Sequence, residues 1–133
     1  VVSNHQDMKN RAPFGQDYLE LCAKTPLNAA TEKAYQRLHH TNRANTAYAL
    51  RRVLRDYHAD AMIDLANYST RTYATPGFPA LCIPASYREN GSPLGITFYG
   101  DYLQDAELVG LGYAFEQAAQ ARKAPKLIFP DER

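Results

Sequence analysis

The 133-residue chain has only two cysteines and no long apolar run, and each shortage removes a class of protein. Cys22 and Cys82 stand far apart and form neither a metal-ligand spacing nor a disulfide framework, so the core must hold without metal or cross-link. A reducing cytoplasm is the expected compartment. No apolar stretch approaches the roughly 20 residues that span a bilayer, so no membrane partner is expected. The polar start Val1-Val2-Ser3-Asn4-His5-Gln6-Asp7 lacks a signal-peptide profile, and its opening valine suits a processed product or a piece of a longer chain. Excess charge of one sign is missing too. Fifteen Lys and Arg against fourteen Asp and Glu leave +1, so no global field draws the chain toward nucleic acid. What remains is a globular balance, 45% hydrophobic and 22% charged, with ten Tyr and five Phe to fill one modest core.

Read along the chain, residues 1–13 show no period of either kind and form a polar arm. Phe14, Tyr18, Leu19, Leu21 and Cys22 recur at helical spacing until Thr25-Pro26 stops them. Asn28 is placed to cap a second helix, which good helix formers carry to about Tyr57 without Gly or Pro. Its apolar stripe reads Tyr35, Leu38, Tyr48, Val53, Leu54 and Tyr57, while His39 to Thr46 is polar all round and must be solvated or face a polar neighbour. Ala61 to Leu65 suits a short buried strand. Asn67 to Pro79, rich in Thr, Tyr and Pro, reads as a loop, of the kind that lines pockets. A strand over Ala80–Ala85 ends at its proline. Asn90-Gly91 supplies the positive φ of a tight hairpin, and Leu94–Tyr99 returns as the partner strand. Asp105 opens a last helix with a stripe of Leu108, Leu111, Ala114, Phe115 and Ala118 that ends before Pro125.

Self-contained chemistry is hard to find. Gly91-Ser92-Pro93-Leu94-Gly95 puts its serine in the wrong place for a nucleophile elbow. Gly110-Leu111-Gly112 starts like a dinucleotide fingerprint but has no strand before it and Phe115 after it, so close helix packing is the better reading. His39 and His40 lie about 100° apart on a helix with no third ligand four residues away. His58 with Asp60 reads as a solvated helix end, where the dipole favours histidine. Arg37, Arg43, Arg51, Arg52 and Arg55 make the long helix basic, but without interleaved aromatics or a recognition motif they describe a charged face rather than a nucleic-acid site.

Three blocks then follow in order: Pro76-Gly77-Phe78-Pro79-Ala80-Leu81-Cys82-Ile83-Pro84-Ala85, Asn90-Gly91-Ser92-Pro93-Leu94-Gly95-Ile96-Thr97-Phe98-Tyr99-Gly100, and Glu107-Leu108-Val109-Gly110-Leu111-Gly112-Tyr113-Ala114-Phe115-Glu116-Gln117-Ala118. In this order and spacing the segment from Thr75 to Pro125 resembles the C-terminal end of the amidase signature family, enzymes that hydrolyse amide bonds. Ile96 to Gly100 and Ala121 to Pro125 are most similar to compact bacterial amidases and peptide amidases. Residues 14–74 fit more loosely through Phe14-Gly15-Gln16, the long helix and Asp60-Ala61-Met62-Ile63. Ser86, where the family usually has glycine, and Pro76, where alanine is commoner, depart from the pattern.

The resemblance implies an α/β chain, the C-terminal segment of the family's α/β/α fold, with two or three helices on a short mixed sheet that contains a hairpin. Residues 14–133 are then the C-terminal portion of an amidase domain. It also implies a serine nucleophile, a second serine on a cis peptide and a lysine base in a glycine- and serine-rich core, with no metal or cofactor. The four serines, Ser3, Ser69, Ser86 and Ser92, include no Ser-Ser pair, and no Gly-Gly occurs, so no catalytic residue is assigned within this chain. Expected instead are scaffold strands, a covering helix and part of a pocket wall from Tyr73, Thr75 and Phe78. The implied partners are a small-molecule or peptide amide and the missing N-terminal part. Strands cut from a larger sheet leave bare edges, so marginal stability or a second copy of the chain is expected as well. The competing reading is a stand-alone binding or assembly module that kept the packing and lost the chemistry.

Overall fold

The computed structural model describes residues 15–125. The arm expected over residues 1–13, and Phe14, lie outside the described residues. The elements are α1 (Asp17–Ala23), α2 (Ala29–Asp56), β1 (Met62–Leu65), α3 (Thr70–Ala74), β2 (Ala80–Tyr87), β3 (Pro93–Tyr99) and α4 (Asp105–Ala119). They divide into two compact units, one up to Leu38 and one from His39 onward, with α2 running through the division.

In the first unit, helical spacing produces α1 as expected, yet no residue of α1 is buried. Asn28 is the expected cap: its Oδ1 accepts the backbone N–H groups of Ala30 and Thr31, both at 3.1 Å. From there α2 continues for 28 residues, about 42 Å, because nothing in it breaks a helix.

The second unit holds the core. The stripe read from sequence along α2 meets it only at Leu54; Tyr35, Leu38, Tyr48, Val53 and Tyr57 are all exposed. The inward positions are Ala47, Leu50 and Leu54, spaced i, i+3, i+7, where Leu50 and Leu54 join Phe78 and Tyr99. Large exposed aromatic side chains had outweighed a small alanine in the sequence pattern. The helix ends in a Schellman turn: His58 takes φ +50°, its N–H bonds the Arg55 carbonyl at 3.2 Å, and Ala59 N–H bonds the Leu54 carbonyl at 2.9 Å. His58 is thus an exposed helix terminus.

The sheet has the order β1-β3-β2. A mixed sheet is expected from sequence, but both pairings are antiparallel. β1 and β2 do run parallel to each other, and β3, arriving by a tight turn from β2, inserts between them. Alternation then gives β3 two faces. Tyr99 lies in the core with α2, whereas the Phe98 ring meets Phe115 of α4 edge-on, centroids 5.7 Å apart. β1 is a half-covered edge rather than a buried strand. Met62 packs against the core, while Ile63 and Leu65 are exposed.

Two local expectations change at β2. The strand runs through Pro84 to Tyr87, with a bulge between Pro84 and Ser86, because β2 is an edge strand where proline's missing N–H is tolerated. The hairpin turns on Gly91 alone, at φ +78°. Gly91 N–H bonds the Arg88 carbonyl at 2.8 Å and Arg88 N–H bonds the Ser92 carbonyl at 2.9 Å, a type I turn followed by a glycine bulge. Asn90 steadies it by accepting from Ser92 N and Oγ at 3.0 and 2.7 Å.

α4 lies on β2 and β3 through Leu108, Gly112 and Phe115. Leu111 is exposed, and the seat is Gly112, where an added Cβ would stand 2.6 Å from Ile83 Cδ1 and closer still to Leu81 Cδ2. Close packing is therefore right for Gly112. Gly110 has nothing within 4 Å of its missing Cβ.

Candidate functional site

The segment between β1 and β2 carries the three residues assigned from sequence, and it is more ordered than a loop. Its composition predicts neither helix nor strand, yet Thr70–Ala74 forms the one-and-a-half-turn α3. Local side-chain bonds make this possible. Asp64 at the end of β1 accepts Ser69 N–H at 2.6 Å, Thr70 Oγ1 donates to the Asn67 carbonyl, and Tyr73 Oη lies 3.2 Å from Thr70 Oγ1. Hydrogen bonding by the Ser69 side chain, with desolvation opposing it and the backbone N–H groups of Leu65 and Ser69 assisting, holds the Asp64 carboxyl below its ordinary value. Buried Thr97 of β3 reaches across to the Ala66 carbonyl, tying the start of the segment to the sheet.

Tyr73 and Phe78 are brought together. Phe78 N–H bonds the Tyr73 carbonyl at 2.8 Å, the Tyr73 ring lies 5.1 Å from that of Tyr99, and Phe78 is in the core, 8% exposed. Thr75 sits at the C-terminal end of α3 and is half-buried. Within this chain, then, Phe78 and Tyr73 fasten the segment, and Thr75 lies at the turn between them.

Sequence reading missed the arginines that meet this segment. Arg43 Nη2 donates to the Pro76 carbonyl at 3.0 Å. Arg51 places its guanidinium 5.0 Å from the centre of the Phe78 ring, and its Nε bonds both carboxylate oxygens of Asp101 at 2.8 and 2.9 Å. Their signal was present: positions 43, 47, 50, 51 and 54 share one helical face, but a face that mixes arginine with leucine does not read as apolar.

Chemistry at the serines is limited. Ser69 serves Asp64, Ser86 Oγ lies 3.5 Å from the Tyr87 carbonyl, and Ser92 Oγ bonds Asn90. Among the described residues no serine bonds a lysine or histidine, and no cluster of three His, Cys, Asp or Glu could hold a metal. No helix among them is long and apolar enough to cross a membrane. Surface grooves of about 620, 330 and 650 Å³ have walls of α2 alone, of β2 with α4, and of the hairpin with residues 123–125. None of these walls includes Tyr73, Thr75 or Phe78.

No family model matches the chain. A probable amidase of Arabidopsis thaliana is 33% identical over 79 residues, which is 59% of this chain and 15% of that protein. A glutamyl-tRNA(Gln) amidotransferase subunit of Ralstonia nicotianae is 33% identical over 54 residues, 41% of this chain and 11% of its own length. Among solved structures, an amidase family protein from Bacillus anthracis superposes with TM-score 0.76 at 31% identity, covering 95% of this chain and 24% of that one. A peptide amidase from Stenotrophomonas maltophilia, 24% identical, shares the fold at TM-score 0.73 over 94% of this chain and 28% of its own. The chain thus spans less than a third of each of these proteins. Its relatives in sequence and in fold are amidase signature family enzymes, of which the chain matches a small part.

Proposed function

We propose that this chain is the C-terminal portion, over residues 14–133, of an amidase that hydrolyses the C–N bond of a small-molecule or peptide carboxamide. A serine nucleophile, a second serine on a cis peptide and a lysine base act from the preceding part of the enzyme. The resemblance implies these roles, and their logic is an activated hydroxyl with a relay and donors for the oxyanion. Residues of this chain hold the scaffold. Tyr73, Thr75 and the turn ending at Phe78 form part of the pocket wall, to be completed by walls outside the chain. The setting is cytoplasmic, in keeping with two exposed free cysteines, and a second copy is a further partner.

The observation that carries this reading is a pairing: relatives in sequence and fold are amidases, while the side chains of Ser69, Ser86 and Ser92 each bond a nearby residue, Asp64, Tyr87 and Asn90. The test is labelling with a sulfonyl fluoride followed by mass spectrometry. The 133-residue chain is expected to take up no probe, and the gene product extended upstream of Val1 is expected to take it up at one serine outside this chain. Labelling of Ser69, Ser86 or Ser92 overturns the proposal.

A further inference from the structure

We infer that Arg43 is a positioning residue: from the middle of α2 it sets the shape of the Pro76–Phe78 turn that leads into β2. This rests on the reading of that turn as pocket wall only for its functional consequence; the clamp itself stands on geometry. Three observations converge. The Arg43 guanidinium donates through Nη2 to the Pro76 carbonyl at 3.0 Å, a bond strengthened by the donor's charge. Gly77 follows at φ +77°, and its missing side chain is what admits the guanidinium: an added Cβ would stand 2.9 Å from Nη2 and 3.6 Å from Cζ. One helical turn pair further on, Arg51 lies over the Phe78 ring and is held there by Asp101.

The same geometry accounts for four of the five arginines on α2 without any phosphate. Arg51 is paired with Asp101, and Arg52 and Arg55 both bond Asp56. Arg43 faces a backbone carbonyl, and it does so from the stretch of α2 whose neighbours Thr41, Asn42, Ala44 and Asn45 are exposed. A solvated stretch of helix therefore carries one side chain with a defined task. Lysine cannot replace it fully. An ammonium can donate to the Pro76 carbonyl, but it has no flat group to lie against Gly77.

Amide hydrogen exchange on the chain, read by NMR, tests the clamp. Gly77 N–H bonds the Ala74 carbonyl and Phe78 N–H the Tyr73 carbonyl, so both report opening of the turn. In Arg43→Ala these two amides are expected to exchange about tenfold faster while Thr97 and Phe98 in β3 change by less than about twofold. Arg43→Lys is expected to restore at least half of the lost protection. Unchanged exchange at Gly77 and Phe78, acceleration of turn and sheet together, or a lysine variant as fast as the alanine one each overturns the clamp. In the extended gene product, Arg43→Ala is expected to raise KM for an amide more than it lowers kcat. Turn opening without that rise sinks the pocket-wall reading and leaves the clamp intact.

Discussion

Alanine at Gly110 and alanine at Gly112 are expected to move stability in opposite directions, though the two sites are neighbours on one helix. At Gly110 the added methyl meets nothing within 4 Å, so only helix propensity and unfolded-chain entropy act, and the substitution gains about 0.5–1 kcal/mol. At Gly112 the same gain applies, but Ile83 Cδ1 stands 2.6 Å away and Leu81 Cδ2 is nearer, where carbon atoms pack at about 3.5–4.0 Å. Both side chains must retreat by about 1 Å within a layer already filled by Leu108 and Phe115, which costs about 1–3 kcal/mol. The net loss at Gly112 is about 0–2 kcal/mol. A gap near 2 kcal/mol between the variants corresponds to roughly 6–12 °C in Tm for a chain of this size. Thermal melts followed by circular dichroism read it directly. A double-mutant cycle adds the cause: Ile83→Val alone costs about 0.5–1.5 kcal/mol, but beside Gly112→Ala it removes one of the two offending methyls and costs less. If Gly112→Ala melts at or above Gly110→Ala, α4 is not seated on β2 through Gly112.

The remaining predictions concern the core and the turn. Leu50→Ala, at a side chain 2% exposed among Leu54, Phe78 and Tyr99, is expected to cost about 2–5 kcal/mol in urea unfolding; a loss within 0.5 kcal/mol contradicts the placement of that core. Gly77→Ala is expected to destabilise by about 1–2 kcal/mol, because alanine is strained at φ +77° and its Cβ meets Arg43; a rise in Tm refutes this. Asp64 has a folded pKa below its ordinary 3.8, so its stabilising contribution is complete above that value and is lost as pH falls through the folded value. The stability difference between the chain and Asp64→Asn should therefore be seen at neutral pH and shrink as pH falls below 3.8; a difference that grows on acidification has the wrong sign.

Legibility in the sequence followed the range of the interaction. The cap at Asn28, the uninterrupted α2 and the hairpin at Gly91 rest on neighbours within five residues, and all three could be read directly. α3 was hidden because its support comes from Asp64, outside it, and from a tyrosine hydroxyl bonded within a loop-like composition. The inward face of α2 was misjudged because Ala47 is small and Arg43 and Arg51 are charged, whereas exposed Tyr48 and Tyr57 advertise an apolar stripe. Pro84 looked like a strand end because its tolerance depends on β2 being an edge, a fact of topology. For the candidate site, the blocks around Phe78 drew attention to the segment between β1 and β2, but Arg43 and Arg51 act on it across 33 and 27 positions of sequence, from a helix face whose mixture of arginine and leucine does not read as apolar.

Turnover of a simple carboxamide by the purified 133-residue chain, alongside the same chain extended upstream through its gene, is the most direct measurement. Hydrolysis confined to the extended polypeptide is the expected result. Sustained hydrolysis by the 133-residue chain alone contradicts the assignment of the reacting groups to sequence outside it.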